Sequence, residues 1–146
     1  MKAYSIKGGI LQINGAIISG LASGDDVITF EPFSDAATPD FGADGYLEVS
    51  VSANRGGKVT IKSQQTSDIN QVFQGFYNDQ VVNGSTFTPL NGSWRASNGS
   101  SYTLAGGVMT KQAKVGFGEK ASPREWEFVF EVMILDESAV GALANL

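Results

Sequence analysis

The stretch EPFSDAATPDFGADG, residues 31–45, carries four acidic residues, Glu31, Asp35, Asp40 and Asp44, and no basic one. Carboxylates are the hard oxygen ligands that calcium prefers. A tight calcium loop, however, needs the pattern DxDxDG with a glutamate at its twelfth position, and the spacing of Asp35, Asp40 and Asp44 is too wide for that. A calcium-dependent binding module is therefore the lesser expectation. A solvated loop, or one that docks on another subunit through Asp35, Asp40 and Asp44, is preferred. The sequence contains no cysteine and no histidine. Disulfides, thiolate chemistry, zinc sites built on Cys or His, and every triad that needs an imidazole base are thereby excluded. No GxxxxGK[ST] phosphate loop occurs, and no carboxylate pair, lysine or tyrosine sits in a recognisable catalytic motif. The expectation is a protein that is not an enzyme and uses no cofactor and no metal.

Charge placement narrows the partners. Between Gly8 and Asn54 there is no lysine or arginine, while Asp25, Asp26, Glu31, Asp35, Asp40, Asp44 and Glu48 accumulate, so the net charge of −5 resides in the first third of the chain. Tight DNA binding draws its affinity from Lys and Arg neutralising phosphates, and this acidic chain is poorly suited to it. The composition, 42% hydrophobic and 17% charged over 146 residues, predicts one domain spanning 1–146 with a single core and no membrane span. Lys2 and Lys7 followed by GGILQINGAIISGLASG loosely imitate a secretion signal. Gln12 and Asn14 interrupt the apolar part, and two short strands around Asn14-Gly15 are the better reading, which points to cytoplasmic synthesis.

The elements that hold these groups read as mainly β. Strands are predicted near 9–14, 16–20, 26–31, 46–53, 58–65, 93–97, 101–105, 107–115 and 124–136, punctuated by Asn-Gly turns, as in a β-sandwich or barrel. Residues 31–45, with two prolines and small residues, read as a long surface loop. In the strands flanking Asn54 to Gly57, matching the apolar faces pairs Val51 with Val59 and Val49 with Ile61. That register sets Glu48 opposite Lys62 and buries Leu47, Val49, Val51, Val59 and Ile61 on the domain. The other face then carries Glu48, Ser50, Ser52, Lys58, Thr60 and Lys62. After Gln65 the period changes to helical: Ile69, Val72, Phe73 and Phe76 share one side of a short helix that is capped by Asp68 with Gln71, or by Ser67, and ends near Asn78. In REWEFVFEVMILDE, the residues Trp126, Phe128, Phe130, Val132 and Ile134 form the core face. Met133 and Leu135, on the opposite face, become candidates for contact with another subunit, the alternative being that both faces are covered within the monomer.

The runs FGADGYLEVSVSANRGGKVTIKSQQTSDINQVFQGFYN and KVGFGEKASPREWEFVFEVMILDE resemble the small tail tube proteins of contractile-tailed bacteriophages. The shared features are Ala43-Asp44-Gly45 leading into a hairpin, a Lys-Val-Thr-Ile-Lys strand running into Gln-Gln-Thr-Ser, a short helix with aromatic residues, and a closing strand of alternating Trp and Phe. The resemblance covers about residues 40–78 and 111–137. The C-terminal SAVGALANL, residues 138–146, is longer than the family suggests. The resemblance implies a β-sandwich or barrel with one flanking helix, six copies closing into hexameric rings, and hairpins joining into a shared inner β-barrel lined by Glu48, Ser50, Ser52, Lys58, Thr60 and Lys62. Stacked rings would form the conduit for genome ejection, with DNA passing through unbound. The implied partners are the chain itself, the tail sheath, and baseplate or tail-terminator proteins, in a virion tail assembled in the host cytoplasm. The inner tube of a phage-like bacteriocin or secretion machine is the alternative.

Overall fold

A computed structural model describes residue 6 and residues 9–96 and 99–137. Over these the chain forms, in order, β1 (Ile10–Ile13), β2 (Ala16–Ile17), β3 (Ile28–Pro32), β4 (Ala37–Phe41), β5 (Leu47–Val51), β6 (Gly57–Ser63), α1 (Ile69–Asn83), β7 (Leu90–Arg95), β8 (Ser101–Met109) and β9 (Arg124–Asp136). One antiparallel sheet has the order β2-β1-β7-β8-β9-β6-β3, and β4 and β5 form a separate two-stranded sheet.

The large sheet curls. Four strand spacings separate β3 from β7, about 19 Å if the sheet were flat. Yet the ring of Phe30 on β3 lies 6.1 Å from that of Trp94 on β7 and 5.0 Å from that of Tyr102 on β8. Only a sheet bent into a half-barrel brings its edge back to those rings. The concave side is the core: Val59 pairs with Phe128 and Ile61 with Trp126, all four essentially inaccessible. Helix α1 closes this side by inserting Phe73, whose ring meets Trp126 edge-on at 5.6 Å and Phe128 at 5.0 Å.

The strand-to-helix junction rests on a buried asparagine. Asn70 Oδ1 accepts hydrogen bonds from the Ser63 hydroxyl (2.5 Å) and the Trp126 indole N–H (2.9 Å), while its Nδ2 donates to the carbonyls of Gln64 (2.9 Å) and Gln65 (3.1 Å). One amide thus satisfies the end of β6, the turn and the aromatic core together, which leaves no reason for an apolar residue there. Asn70→Ala strands the indole and hydroxyl donors in an apolar interior, so unfolding in denaturant should show a loss of at least about 2 kcal/mol. The helix is capped by Ser67, whose Oγ accepts from Ile69 N at 3.3 Å; Asp68 makes no capping bond. It also continues to Asn83, five residues past the expected end near Asn78. Gln80 supplies the reason: its side chain donates to Met109 O (2.7 Å) and accepts from Met109 N (2.8 Å), completing the backbone pairing where β8 stops. Gly84, at φ +54, then ends the helix.

Strand β9 spans Arg124–Asp136 as its alternation predicts, but its faces exchange partway. Trp126, Phe128 and Phe130 point inward; beyond them Met133 is buried and Ile134 is 39% exposed. Opposite this point Gly106 of β8 adopts φ +66, a conformation open to glycine, and bends the sheet. The space a side chain would need at Gly107 is filled by the Phe130 ring, and that at Gly57 by the Met133 thioether. Ile134 therefore leaves the core, contrary to the alternation. Met133 is a core residue and not the exposed subunit contact expected from the sequence, while Leu135 is half-buried against the core. Strand β8 runs unbroken through Gly106-Gly107, where two strands were expected. The segment 138–146 lies outside the described residues.

Candidate assembly surface

The expected loop at 31–45 is instead the end of β3, a short connection, all of β4, and the turn into β5. Two prolines suggested a loop, but proline is tolerated on a strand edge that donates no ladder bond, and Ala37-Thr38-Pro39-Asp40-Phe41 alternates as a strand does. Gly45, at φ +88, makes the turn, and Asp44 Oδ1 accepts from Tyr46 N at 3.3 Å to hold it. The β4–β5 register pairs Ala37 with Val51, Thr38 with Ser50, Pro39 with Val49, Asp40 with Glu48 and Phe41 with Leu47.

This overturns the register read from sequence. Glu48 faces Asp40 and not Lys62; Lys62 faces Glu125 of β9, and β6 pairs with β3 and β9 instead of β5. The competing matches were legible only as alternation: Thr29 and Glu31, or Glu125 and Glu127, suit the polar face of β6 as well as Ser50 and Glu48 do. The six expected lumen-facing residues consequently divide. Glu48 and Ser50 lie on the polar face of the hairpin with Thr38 and Asp40. Lys58, Thr60 and Lys62 lie on the convex face of the large sheet with Thr29, Glu31, Glu125 and Glu127. Ser52 lies between, at the hairpin base.

The apolar side chains of the hairpin are not packed on the domain as expected. Ala37, Pro39, Phe41, Leu47, Val49 and Val51 form one face, with Phe41 70%, Leu47 52% and Val51 74% exposed. The opposite face sets the carboxylates of Asp40 and Glu48 directly across from each other, an arrangement that costs stability within the pair. Asp35, Asp40 and Asp44 are all exposed and spread along the connection, strand and turn; among the described residues no three acidic groups converge as a metal site would require.

On the convex face Lys58 is compensated. Lys58 Nζ lies 3.8 Å from Glu31 Oε2 and 3.9 Å from Glu127 Oε1. Beside it, Glu125 and Glu127 line a cleft of about 570 Å³ together with Lys111 and Lys114 from the β8–β9 connection. The sequence offers Lys62 a partner in Glu48; Glu125, which faces Lys62, and Glu31 and Glu127, which flank Lys58, carry no local signal because they lie on strands more than twenty residues distant.

Residues 5–138 match the protein family described as the bacteriophage PhiTE tail tube protein. No curated protein sequence matches the chain. Among solved structures, the fold is similar to the sheath/tube terminator of the extracellular contractile injection system PVC in its extended state, with a TM-score of 0.66 and 7% identity, covering 93% of this chain and 98% of that one. It is similar to the tube-terminating cap of the anti-feeding prophage, with a TM-score of 0.59 and 6% identity over 94% of this chain and 93% of that one. A chain of the PVC sheath-tube complex in its extended state aligns with a TM-score of 0.53 and 8% identity over 88% and 84%.

Proposed function

We propose, for a chain that belongs to the bacteriophage PhiTE tail tube protein family, that it polymerises as stacked hexameric rings whose β4–β5 hairpins join into one inner barrel, the conduit through which the genome leaves the virion. The observation that carries this reading is the hairpin itself. A two-stranded sheet is marginal in water on its own. This one has two free edges and an uncovered apolar face. Neighbouring copies would pair the edges and cover Phe41, Leu47, Val49 and Val51, which removes a surface that otherwise invites disordered aggregation.

The face with Thr38, Asp40, Glu48 and Ser50 then lines the channel, and Lys58, Thr60 and Lys62 continue it on the convex side of β6. An acidic lining repels phosphates, and Lys58 between Glu31 and Glu127 has little charge to offer them. The function is structural, as a single domain of the tail, with DNA passing unbound. Partners are further copies of the chain, the sheath, and terminator or baseplate proteins. Asp35 and Asp44, exposed at the base and tip of the hairpin, would meet a neighbouring subunit. The similarity to injection-system components favours one second reading, the inner tube of a phage-like particle without a genome. Capsid and terminase genes beside this one would separate the two.

Negative-stain microscopy of the purified protein tests the reading: rings or tubes are expected, and monomers at every concentration and salt would overturn it. The lining makes its own prediction. Glu31→Gln with Glu127→Gln leaves Lys58 uncompensated in every subunit, so assembled tubes should begin to retain linear DNA at low salt and release it as salt rises. Retention measured by co-sedimentation that stays at the wild-type level would show that Lys58 does not face the channel.

A further inference from the structure

The β3–β6 and β4–β5 ladders form one long hairpin with a defect at its middle. Pro32 pairs with Gly57, and Ala37 with Val51, so the four residues Phe33 to Ala36 lie opposite the five residues Ser52 to Gly56. One extra residue on one strand is a bulge, which bends the strand and increases its twist. A bulge leaves backbone groups without ladder partners, and here the side chains of Ser52, Asn54 and Arg55 serve them, Asn54 alone reaching the opposite segment. Asn54 Oδ1 accepts from Gly56 N at 2.8 Å, and Asn54 Nδ2 donates to Ser34 Oγ on the opposite segment at 2.8 Å. The backbone N–H of Asn54 donates to Ser52 Oγ at 3.1 Å, and the Arg55 guanidinium donates to Ser52 O at 2.6 Å. Below the bulge the chain is fixed to the domain: Met133 N donates to Arg55 O at 2.8 Å, Phe33 N donates to Gly56 O at 3.1 Å, and Gly57 is covered by Met133. Above it, Ser52 N donates to Ala36 O at 2.9 Å and the free hairpin begins.

We propose that Asn54 is the positioning residue for assembly: its amide joins Ser34 to Gly56 across the bulge and so sets the direction in which the β4–β5 hairpin leaves the domain, presenting it to the next copy of this chain. This rests on the hairpin being the element that joins subunits. Asn54 is exposed and its amide bonds only across the bulge, to Ser34 and Gly56, so its effect is on the orientation of the hairpin and not on the stability of the fold. A hairpin held in its joining orientation for only a fraction of the time lowers the apparent affinity between subunits by that fraction.

The chain has no cysteine, so Tyr46→Cys at the hairpin tip and Gln71→Cys on the exposed side of α1 give two labelling sites for single-molecule energy transfer at dilutions where the protein is monomeric. With Asn54 present, one narrow transfer-efficiency peak is expected. Asn54→Ala should broaden or displace it, and Asn54→Asp should restore it, because a carboxylate still accepts from Gly56 N and from the Ser34 hydroxyl. In the unlabelled protein, Asn54→Ala should raise the concentration needed for assembly at least about tenfold, as expected if the joining orientation falls to about a tenth of the population, with the unfolding midpoint close to wild type. An unchanged peak in Asn54→Ala overturns the proposal, as does a lowered unfolding midpoint with an unchanged peak. The energy-transfer result stands whether or not the wild-type chain assembles, so a failure of the tube reading itself is seen separately, by microscopy of the wild type.

Discussion

Phe73→Ala should destabilise the fold by about 3–5 kcal/mol, the range for emptying a fully buried aromatic site. Domains of this size are stable by about 5–15 kcal/mol, so the variant would retain little margin. The magnitude follows from the surroundings of the ring. Phe73 is inaccessible and contacts Trp126 and Phe128 edge-on, with Phe76 at 6.4 Å on its own helix. The two sheet neighbours cannot collapse into the space freely: Trp126 is held by its hydrogen bond to Asn70, and Phe128 by cross-strand pairing with Val59 and Met109. Denaturant unfolding followed by tryptophan fluorescence checks the prediction, since Trp126 reports on this contact. A change within about 0.5 kcal/mol would mean that α1 does not close the concave side of the sheet.

Val49→Asp should have the opposite character, leaving the monomer intact and abolishing assembly. Val49 is already 48% exposed, opposite Pro39 at the centre of the apolar face, so a carboxylate there remains hydrated in the free chain. Its effect on monomer stability should stay within about 0.5 kcal/mol. Covering that face with another copy would strip water from an unpaired charge, which costs several kcal/mol per site, and each 1.4 kcal/mol reduces association about tenfold. Every interface of a closed ring would carry the same penalty. Sedimentation velocity should therefore show monomers at concentrations where the wild type forms large assemblies. Tubes of normal appearance from Val49→Asp would show that the apolar face of the hairpin is not what assembly covers.

These two residues also separate what could be read in advance from what could not. Phe73 was placed in the core by spacing alone, because Ile69, Val72, Phe73 and Phe76 fall on one side of a helix wherever that helix lies. For Val49 the sequence shows the face but not the environment. Alternation identifies which residues point together, but Leu47, Val49 and Val51 would alternate in the same way against the domain, a neighbouring subunit or water. Strand β4 is not legible in the sequence because Pro32 and Pro39 read as breakers, while their position on exposed edges makes them compatible with strands. Asn70 carries no signal in its own neighbourhood: Ser63 and Trp126, which make it a core residue, lie 7 and 56 residues away.

Features that depend on local chemistry are legible along the chain: the acidic first third, the absence of imidazole and thiol, the change of period after Gln65, and the thirteen-residue span of β9. Those follow from side-chain type and backbone periodicity, which are fixed before the chain folds. Tertiary structure decided the partners. Lys62 stands opposite Glu125 because the closing strand inserts between β8 and β6. Met133 turns inward because Gly106 bends the sheet and Gly57 makes room. Glu48 meets Asp40 because β5 pairs with the strand before it. In each case several faces of equal polarity compete, and the closure of one curled sheet around Phe73, Trp126 and Phe128 selects among them.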